Sequence, residues 1–248
     1  MKVVGFTALH YGRDYLAWAI RSIIDHIDEY HVAYSAIGSH GHRSEVKCPE
    51  TRAELYAIAS AAAGSKLRWH DGEWPHEGAQ RDSIHEYAPD ADVIVVLDAD
   101  EIWSDWTMEG LLHHKPSTKF RRLRVPIIHY WRSFYRAVLH DPAYPIRVIY
   151  PKVADGEETL SLKSTAEPIN HMGYAQRPEI VRYKQLTHGH RNEWRKDVDW
   201  FADKYMANAQ TDTHPVGSEY WNPERVDPLD YMPRWMQDHP YYHMQVIE

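Results

Sequence analysis

The sequence predicts an α/β domain, and three observations carry that reading. Strand-like and helix-like segments alternate through the first 115 residues. The last strand of the series, Val93 to Leu97, is an unbroken run of three valines, an isoleucine and a leucine, the composition of a parallel strand buried on both faces. At 248 residues, 43% hydrophobic and 26% charged, the chain can bury a core without cross-links.

The elements follow in order. Residues 2–9 (KVVGFTAL) read as the first strand. Tyr15, Leu16, Ala19, Ile20, Ile23, Ile24 and Ile27 then recur at helical spacing, with Asp14 near the start. Residues 30–37 form a second strand with GSHGH as its loop. Thr51 and Glu54 make a capping box ahead of a helical face of Leu55, Ile58, Ala59 and Ala62, and Gly64 ends it. A third strand covers 66–70, a helix 77–87, and the apolar run is the fourth strand. This is the grammar of a Rossmann-type sheet, mixed or parallel and flanked by helices. Beyond residue 115 the reading is strands near 121–128 and 146–150, then helices over 178–187 and 192–207. From 211 onward Pro215, Pro223, Pro228, Pro233 and Pro240 forbid long regular elements. Trp221, Trp235, Tyr220, Tyr231, Tyr241 and Tyr242 make this Pro-rich tail too aromatic for a disordered one, so it is expected to pack on the domain.

Composition narrows the function. Lys and Arg total 28 against 36 Asp and Glu, a net charge of −8, which argues against binding nucleic acid by bulk charge. A single cysteine, Cys48, forbids an intrachain disulfide or a CxxC zinc site. No apolar run approaches the ~20 residues of a membrane helix, and the N-terminus reads as a strand rather than a signal peptide. A soluble, cytoplasmic setting is the expectation. Ten Trp and 17 Tyr accompany only 4 Phe, and aromatics with polar handles suit sugar or base stacking.

Chemistry concentrates at Asp98-Ala99-Asp100-Glu101. Ligands of open α/β sheets sit beyond the carboxyl ends of strands. Period-two geometry can put Asp98 and Asp100 on one side, where two carboxylates repel unless a cation lies between them. Oxygen ligands favour Mg²⁺ or Mn²⁺, which also hold substrate phosphates. A solvated acidic turn is the plain alternative, and the position after a buried strand favours function. Two HxH motifs, His40-Gly41-His42 and His188-Gly189-His190, keep a metal-dependent hydrolase as a rival. Residues 119–136 interleave Lys119, Arg121, Arg122, Arg124, Arg132 and Arg136 with Phe120, Tyr130, Trp131, Phe134 and Tyr135 and contain no acid. That pattern suits an anionic sugar, a lipid-linked acceptor or a nucleic-acid base.

LDADE, about 90 residues after the first strand and followed by aromatic sequence, resembles the GT-A glycosyltransferases, more closely their family-2-like members. TALHYGRDYLAWAIRSI is similar to their first strand, loop and helix. GAQRDSIHEYAPDADVIVVLDADE is similar to the stretch in which Arg followed by Asn or Asp opens the helix before the DxD strand. INHMGYAQRPEIVRYKQLTHGHRNEW resembles a pattern of His, Gly, an aromatic, a Lys-containing helix and another His. The resemblance implies a Mn²⁺- or Mg²⁺-dependent enzyme moving a sugar from a nucleotide-diphosphate sugar to a glycan or other hydroxyl acceptor. By motif position, Asp98 and Asp100 hold metal and diphosphate, and Thr7 and Ala8 border the nucleotide. Asp71 sits near the nucleoside and Arg81 faces the donor phosphates or sugar. His171 is the third metal ligand, with His188 and His190 in reserve. The fold of that family places its acceptor half after the DxD region, which makes Arg124, Tyr130 and Trp131, with His190, acceptor-site candidates. The downstream Glu-Asp pair of family 2 is absent, which leaves Glu167, with Asp100, as the catalytic candidate. One domain, 1–248, then divides into a nucleotide-sugar half (1–115), an acceptor half (116–210) and the extension 211–248. The alternatives are a phage-type transferase acting on a modified base in DNA, the HxH hydrolase, and a nonenzymatic Rossmann-type binding module.

Overall fold

The computed structural model describes residues 1–38, 46–113, 120–139, 141–142, 144–153, 158–161, 168–187, 191–217 and 221–245. β1 (Val3–Leu9), α1 (Leu16–Ile23) and β2 (Glu29–Tyr34) lead to α2 (Arg52–Ala63) and β3 (Leu67–Asp71). Two short helices, α3 (Glu77–Asp82) and α4 (Ile84–Tyr87), precede β4 (Val93–Val96), β5 (Glu101–Ile102) and α5 (Asp105–His113). Next come β6 (Phe120–Arg124), β7 (Ile127–Trp131), β8 (Arg136–Val138), β9 (Ile146–Ile149), β10 (Glu158–Ser161), β11 (Ile169–Tyr174), α6 (Pro178–Thr187) and β12 (Glu224–Arg225).

The strands form two sheets, of order β10-β6-β9-β4-β1-β2-β3 and β12-β8-β7-β11-β5. The first is mostly parallel: β1 pairs parallel with β2 and β4, β2 with β3 and β6 with β10, while β9 runs antiparallel between β4 and β6. The expected α/β architecture is thus present, and strands from beyond residue 115 complete its first sheet. Alternation explains why both faces are covered. Val3, Leu9, Val93, Val95 and Leu97 join the core with α1, α2 and the tail. Val4, Phe6, Ile94 and Val96 pack with Ile84 and Ala88 on the other side. Each such side chain contributes about 1.5–3 kcal/mol by leaving water.

The helix α2 starts at the anticipated capping box, with Thr51 Oγ1 accepting from Glu54 N, and Gly64 (φ 55°) caps its end. The tail packs as its aromatic content implies: Trp235 stacks on Trp18, and Tyr241 and Tyr242 meet Tyr15 and Phe134 edge-on.

Three expectations are corrected. The single strand read near 121–128 is two strands in different sheets. Pro126 lies between them with no N–H to donate, and its carbonyl accepts from Ile169 N (2.9 Å). The helix read over 192–207 survives only as a 3₁₀ turn, Arg191–Glu193, and a π-helix, Trp200–Met206. Arg195 binds Asp197 (2.8 Å) and Asp212, fixing a turn between them, and the Asp199 side chain starts the second piece by accepting from Ala202 N. The helix read over 77–87 is broken at Ser83 into α3 and α4. No described helix is long and apolar enough to cross a membrane.

Candidate functional site

The carboxyl ends of β1 and β4 open onto a pocket of about 500 Å³. Its floor is the turn after β4. Leu97 N still reaches Phe6 O (2.8 Å), but Glu101 N then closes on Asp98 O (3.1 Å), so residues 98–100 turn rather than extend. The first loop lies against this turn. Gly12 has φ +146°, and a Cβ there would fall 2.5 Å from Ala99 Cβ, so only glycine permits the approach. The buried Glu50 carboxylate ties the loop down by accepting from Gly12 N (2.7 Å) and Arg13 N (2.9 Å).

The turn sends its two aspartates to different side-chain partners. Asp98 lies between two guanidinium groups: Arg81 Nη2 donates to Oδ1 and Arg147 Nη2 to Oδ2, both at 2.7 Å. Arg81 comes from α3, whose Gln80 donates to Ala33 O (2.7 Å) at the end of β2. Arg147 arrives because β9 pairs antiparallel with β4 through Ile94–Ile149 and Val95–Val148, which sets Arg147 level with Val96. The outer nitrogens are also used. Arg81 Nε reaches Glu77 (2.8 Å), and Arg147 Nε reaches the fully buried Glu101 (3.0 Å). Burial alone would raise the Asp98 pKa, but Arg147 and Arg81 outweigh it and hold the carboxyl at about 2. For Glu101 burial prevails over Arg147, and its pKa is raised.

Asp100 faces the second sheet. Its Oδ2 accepts from Gln176 Nε2 (2.8 Å) and lies 3.9 Å from Lys184 Nζ, and its Oδ1 is 3.5 Å from His171 Nε2. His171 is placed by register: β11 pairs it with Glu101 on β5 and with His129 on β7. Burial again acts to raise the carboxyl, but His171 and Lys184 overcome it and hold Asp100 well below the usual range. His129 is pushed down to about 4 by burial, against the upward pull of Asp141, whose Oδ2 is 3.0 Å from Nε2. Trp221, Tyr174 and His214 add aromatic wall.

Of the residues singled out in the sequence, the pocket gathers Ala8, Arg81, Asp98, Asp100 and His171. Thr7 is fully buried beneath it, its hydroxyl spent on Leu97 O (2.7 Å) and Tyr30 Oη (2.6 Å). Asp71 lies elsewhere, paired bidentately with Arg52 at 2.6 Å. Arg124 is exposed on β6 and donates to Tyr144 O. Tyr130 and Trp131 are corrected as acceptor contacts: they are 0% and 1% exposed, one bonded to Asn170 and the other packed with Trp200 and Tyr205. As neighbours on β7 the two rings point to opposite faces, and both faces are covered, so neither offers a stacking face. Glu167, His190, His188, His40 and His42 lie outside the described residues. Arg147, Glu101, Gln176, Lys184, His129 and Asp141 were missed as site residues.

Asp98 uses one lone pair of each oxygen on an arginine. Among the described residues no three His, Cys, Asp or Glu side chains cluster as a cage for a metal. Mg²⁺ and Mn²⁺ do not need one: one or two protein ligands suffice when water and phosphate oxygens complete the shell. Asp100 Oδ1 and His171 Nε2, converging at 3.5 Å, fit that demand. Charge favours it too. Five carboxylates (Glu77, Asp98, Asp100, Glu101, Asp141) face three permanent cations (Arg81, Arg147, Lys184) in the pocket, an excess of two negative charges. Added positive charge would favour the entry of an anion.

No family model matches the chain, and no curated protein matches it. Among solved structures it is similar to TarS 1–349 of S. aureus, with 12% identity, a TM-score of 0.38, and coverage of 52% of this chain and 36% of that one. It is similar to the inositol-1-phosphate CTP transferase of T. maritima, with 9% identity, a TM-score of 0.37, and coverage of 65% and 78%. It is also similar to the glycosyltransferase GlyE of Streptococcus pneumoniae TIGR4, with 15% identity, a TM-score of 0.37, and coverage of 91% and 58%. The match thus spans about a third of TarS 1–349 and over half of GlyE. Likeness at this level assigns no activity.

Proposed function

We propose that the chain is a glycosyltransferase moving a sugar from a nucleotide-diphosphate sugar to a hydroxyl acceptor. The observation that carries this reading is the Asp98–Asp100 turn at the carboxyl ends of β1 and β4. It lines a 500 Å³ pocket whose cationic and imidazole groups converge on it. Asp100 and His171 would hold a divalent ion, which when bound neutralises the charge that builds on the leaving diphosphate. Lys184, 3.9 Å from Asp100 and 5.1 Å over the Tyr174 ring, adds a fixed positive charge on the same side. The Asp98 carboxylate acts as an anchor: it aims Arg81 and Arg147 at the pocket floor and keeps both charged. Trp221 and Tyr174 offer apolar faces for a sugar ring.

A thermal-shift panel of nucleotide sugars with and without Mn²⁺ tests this reading. A donor at 100 times its Kd adds about 2.7 kcal/mol, or roughly 5–10 °C in Tm for a chain of this size. Such a shift with Mn²⁺ supports the proposal; no shift with any nucleotide sugar contradicts it.

Gly173 offers a second check. A Cβ there would lie 2.4 Å from His171 Cε1, 2.6 Å from Nε2 and 3.1 Å from Lys184 Nζ. Gly173→Ala is therefore expected to push both groups off Asp100. Misplacement of about 1 Å can cost about 10²-fold in rate. Donor hydrolysis should fall by about that factor while Tm moves little.

A further inference from the structure

The second sheet sets His129 beside His171, and their Nδ1 atoms are 2.8 Å apart. One of these nitrogens must carry the proton and the other the lone pair. The other nitrogen of His129, Nε2, lies 3.0 Å from Asp141 Oδ2, though out of line for a good hydrogen bond. That same oxygen accepts from Trp221 Nε1 (3.1 Å), and the Trp221 ring packs 4.6 Å from the His129 ring. Asp141 and the His129 ring are thus fixed relative to each other. A carboxylate offers only lone pairs, so a proton belongs on His129 Nε2, since a ring lone pair there would be repelled.

The rest follows by donor and acceptor arithmetic. A neutral imidazole protonated on Nε2 presents a lone pair at Nδ1. His171 then donates from its own Nδ1, and its Nε2 is left to face Asp100 Oδ1 at 3.5 Å. A cation that enters this gap takes the Nε2 lone pair and the Asp100 oxygen together. All four side chains are at most 15% exposed, so water screens this poorly.

We propose that Asp141 and His129 are positioning residues: they fix His171 with its Nδ1 bonded to His129 and its Nε2 toward Asp100, and so set the affinity of the pocket for a divalent cation. The proposal rests on the reading above that Asp100 and His171 hold that ion. Partners of this kind commonly change metal affinity 10–100-fold.

The test has two parts, both on the full chain. Ring-nitrogen NMR of the metal-free protein at neutral pH reads the tautomers. Calorimetric titration with Mn²⁺ alone compares wild type, His129→Phe, Asp141→Asn and His171→Ala. The expected result is His171 protonated on Nδ1 and His129 on Nε2. Mn²⁺ affinity should fall about 10–100-fold in His129→Phe, less in Asp141→Asn, and at least as much in His171→Ala. Asp141→Asn keeps the side-chain shape, so it and the tautomer spectrum decide the matter should His129→Phe fold poorly. A lone pair on His171 Nδ1 in the metal-free protein overturns the proposal. So does wild-type Mn²⁺ affinity in His129→Phe and Asp141→Asn beside its loss in His171→Ala, which leaves the metal reading standing. Mn²⁺ that ignores wild type, or that binds His171→Ala as well as wild type, overturns the metal reading and the proposal with it.

Discussion

Replacing Arg147 with methionine is expected to cost the fold about 3–5 kcal/mol, the usual penalty for removing one partner of a buried ion pair. For a chain of this size that is roughly 6–20 °C in Tm. The guanidinium binds Asp98 Oδ2 at 2.7 Å and Glu101 Oε1 at 3.0 Å, and Glu101 is fully buried. Methionine fills similar volume, so the loss measures charge rather than a cavity. A double variant, Arg147→Met with Glu101→Gln, should recover part of the loss, because one stranded charge disappears.

The pH dependence carries a sign. In the wild type, Asp98 sits at about 2 when folded against 3.8 when free. Its contribution is therefore fully present above pH ~4 and is lost as pH falls through 2. Glu101 works the other way, since its raised pKa means the folded state prefers it protonated. In Arg147→Met, Glu101 loses its cation and Asp98 keeps only Arg81, so both folded pKa values rise. That variant should gain stability between pH 7 and 5, where wild type gains little. Equal pH profiles by thermal unfolding would contradict the assignment of Arg147 as the cation of this pair.

Asp100→Asn is expected to lower turnover of a nucleotide sugar by two or more orders of magnitude while Tm stays within a few degrees. The amide keeps the size of the carboxylate and can still accept from Gln176, so the turn survives. The charge facing His171 and Lys184 is what disappears. Loss of a ligand to the ion that stabilises a leaving group typically costs several kcal/mol of barrier. Steady-state kinetics beside an unfolding curve separates this from a folding defect. Full turnover in the variant would remove Asp100 from the chemistry.

Local signals made part of this legible. The apolar run 93–97, the capping box at Thr51 and the position of Asp98 and Asp100 are short-range patterns, and each lies where its pattern implies. The partners of the aspartates are not local. Arg147 reaches Asp98 across 49 residues, through the antiparallel insertion of β9 beside β4. The only trace of it in the sequence is a charge inside the strand IRVI. His129 meets His171 across 42 residues through the pairing of β7 with β11. In the sequence it sits within a basic aromatic run, which drew attention to Tyr130 and Trp131 instead. Those rings are core because β7 is covered on both faces, Tyr130 packing into one cluster and Trp131 into another. The arginines of β6 remain at the surface. The charge of Asp98 is visible in the sequence, and its bonds to two arginines are not.

The central claim is that the Asp98–Asp100 pocket takes a nucleoside diphosphate together with a divalent cation. Calorimetric titration of wild type and Asp100→Asn with a panel of nucleoside diphosphates, each in Mn²⁺ and in EDTA, measures this directly. The account predicts that at least one diphosphate binds wild type in Mn²⁺, that EDTA abolishes the binding, and that Asp100→Asn weakens it at least tenfold. Binding of no diphosphate under either condition, or equal binding by the variant, would contradict it.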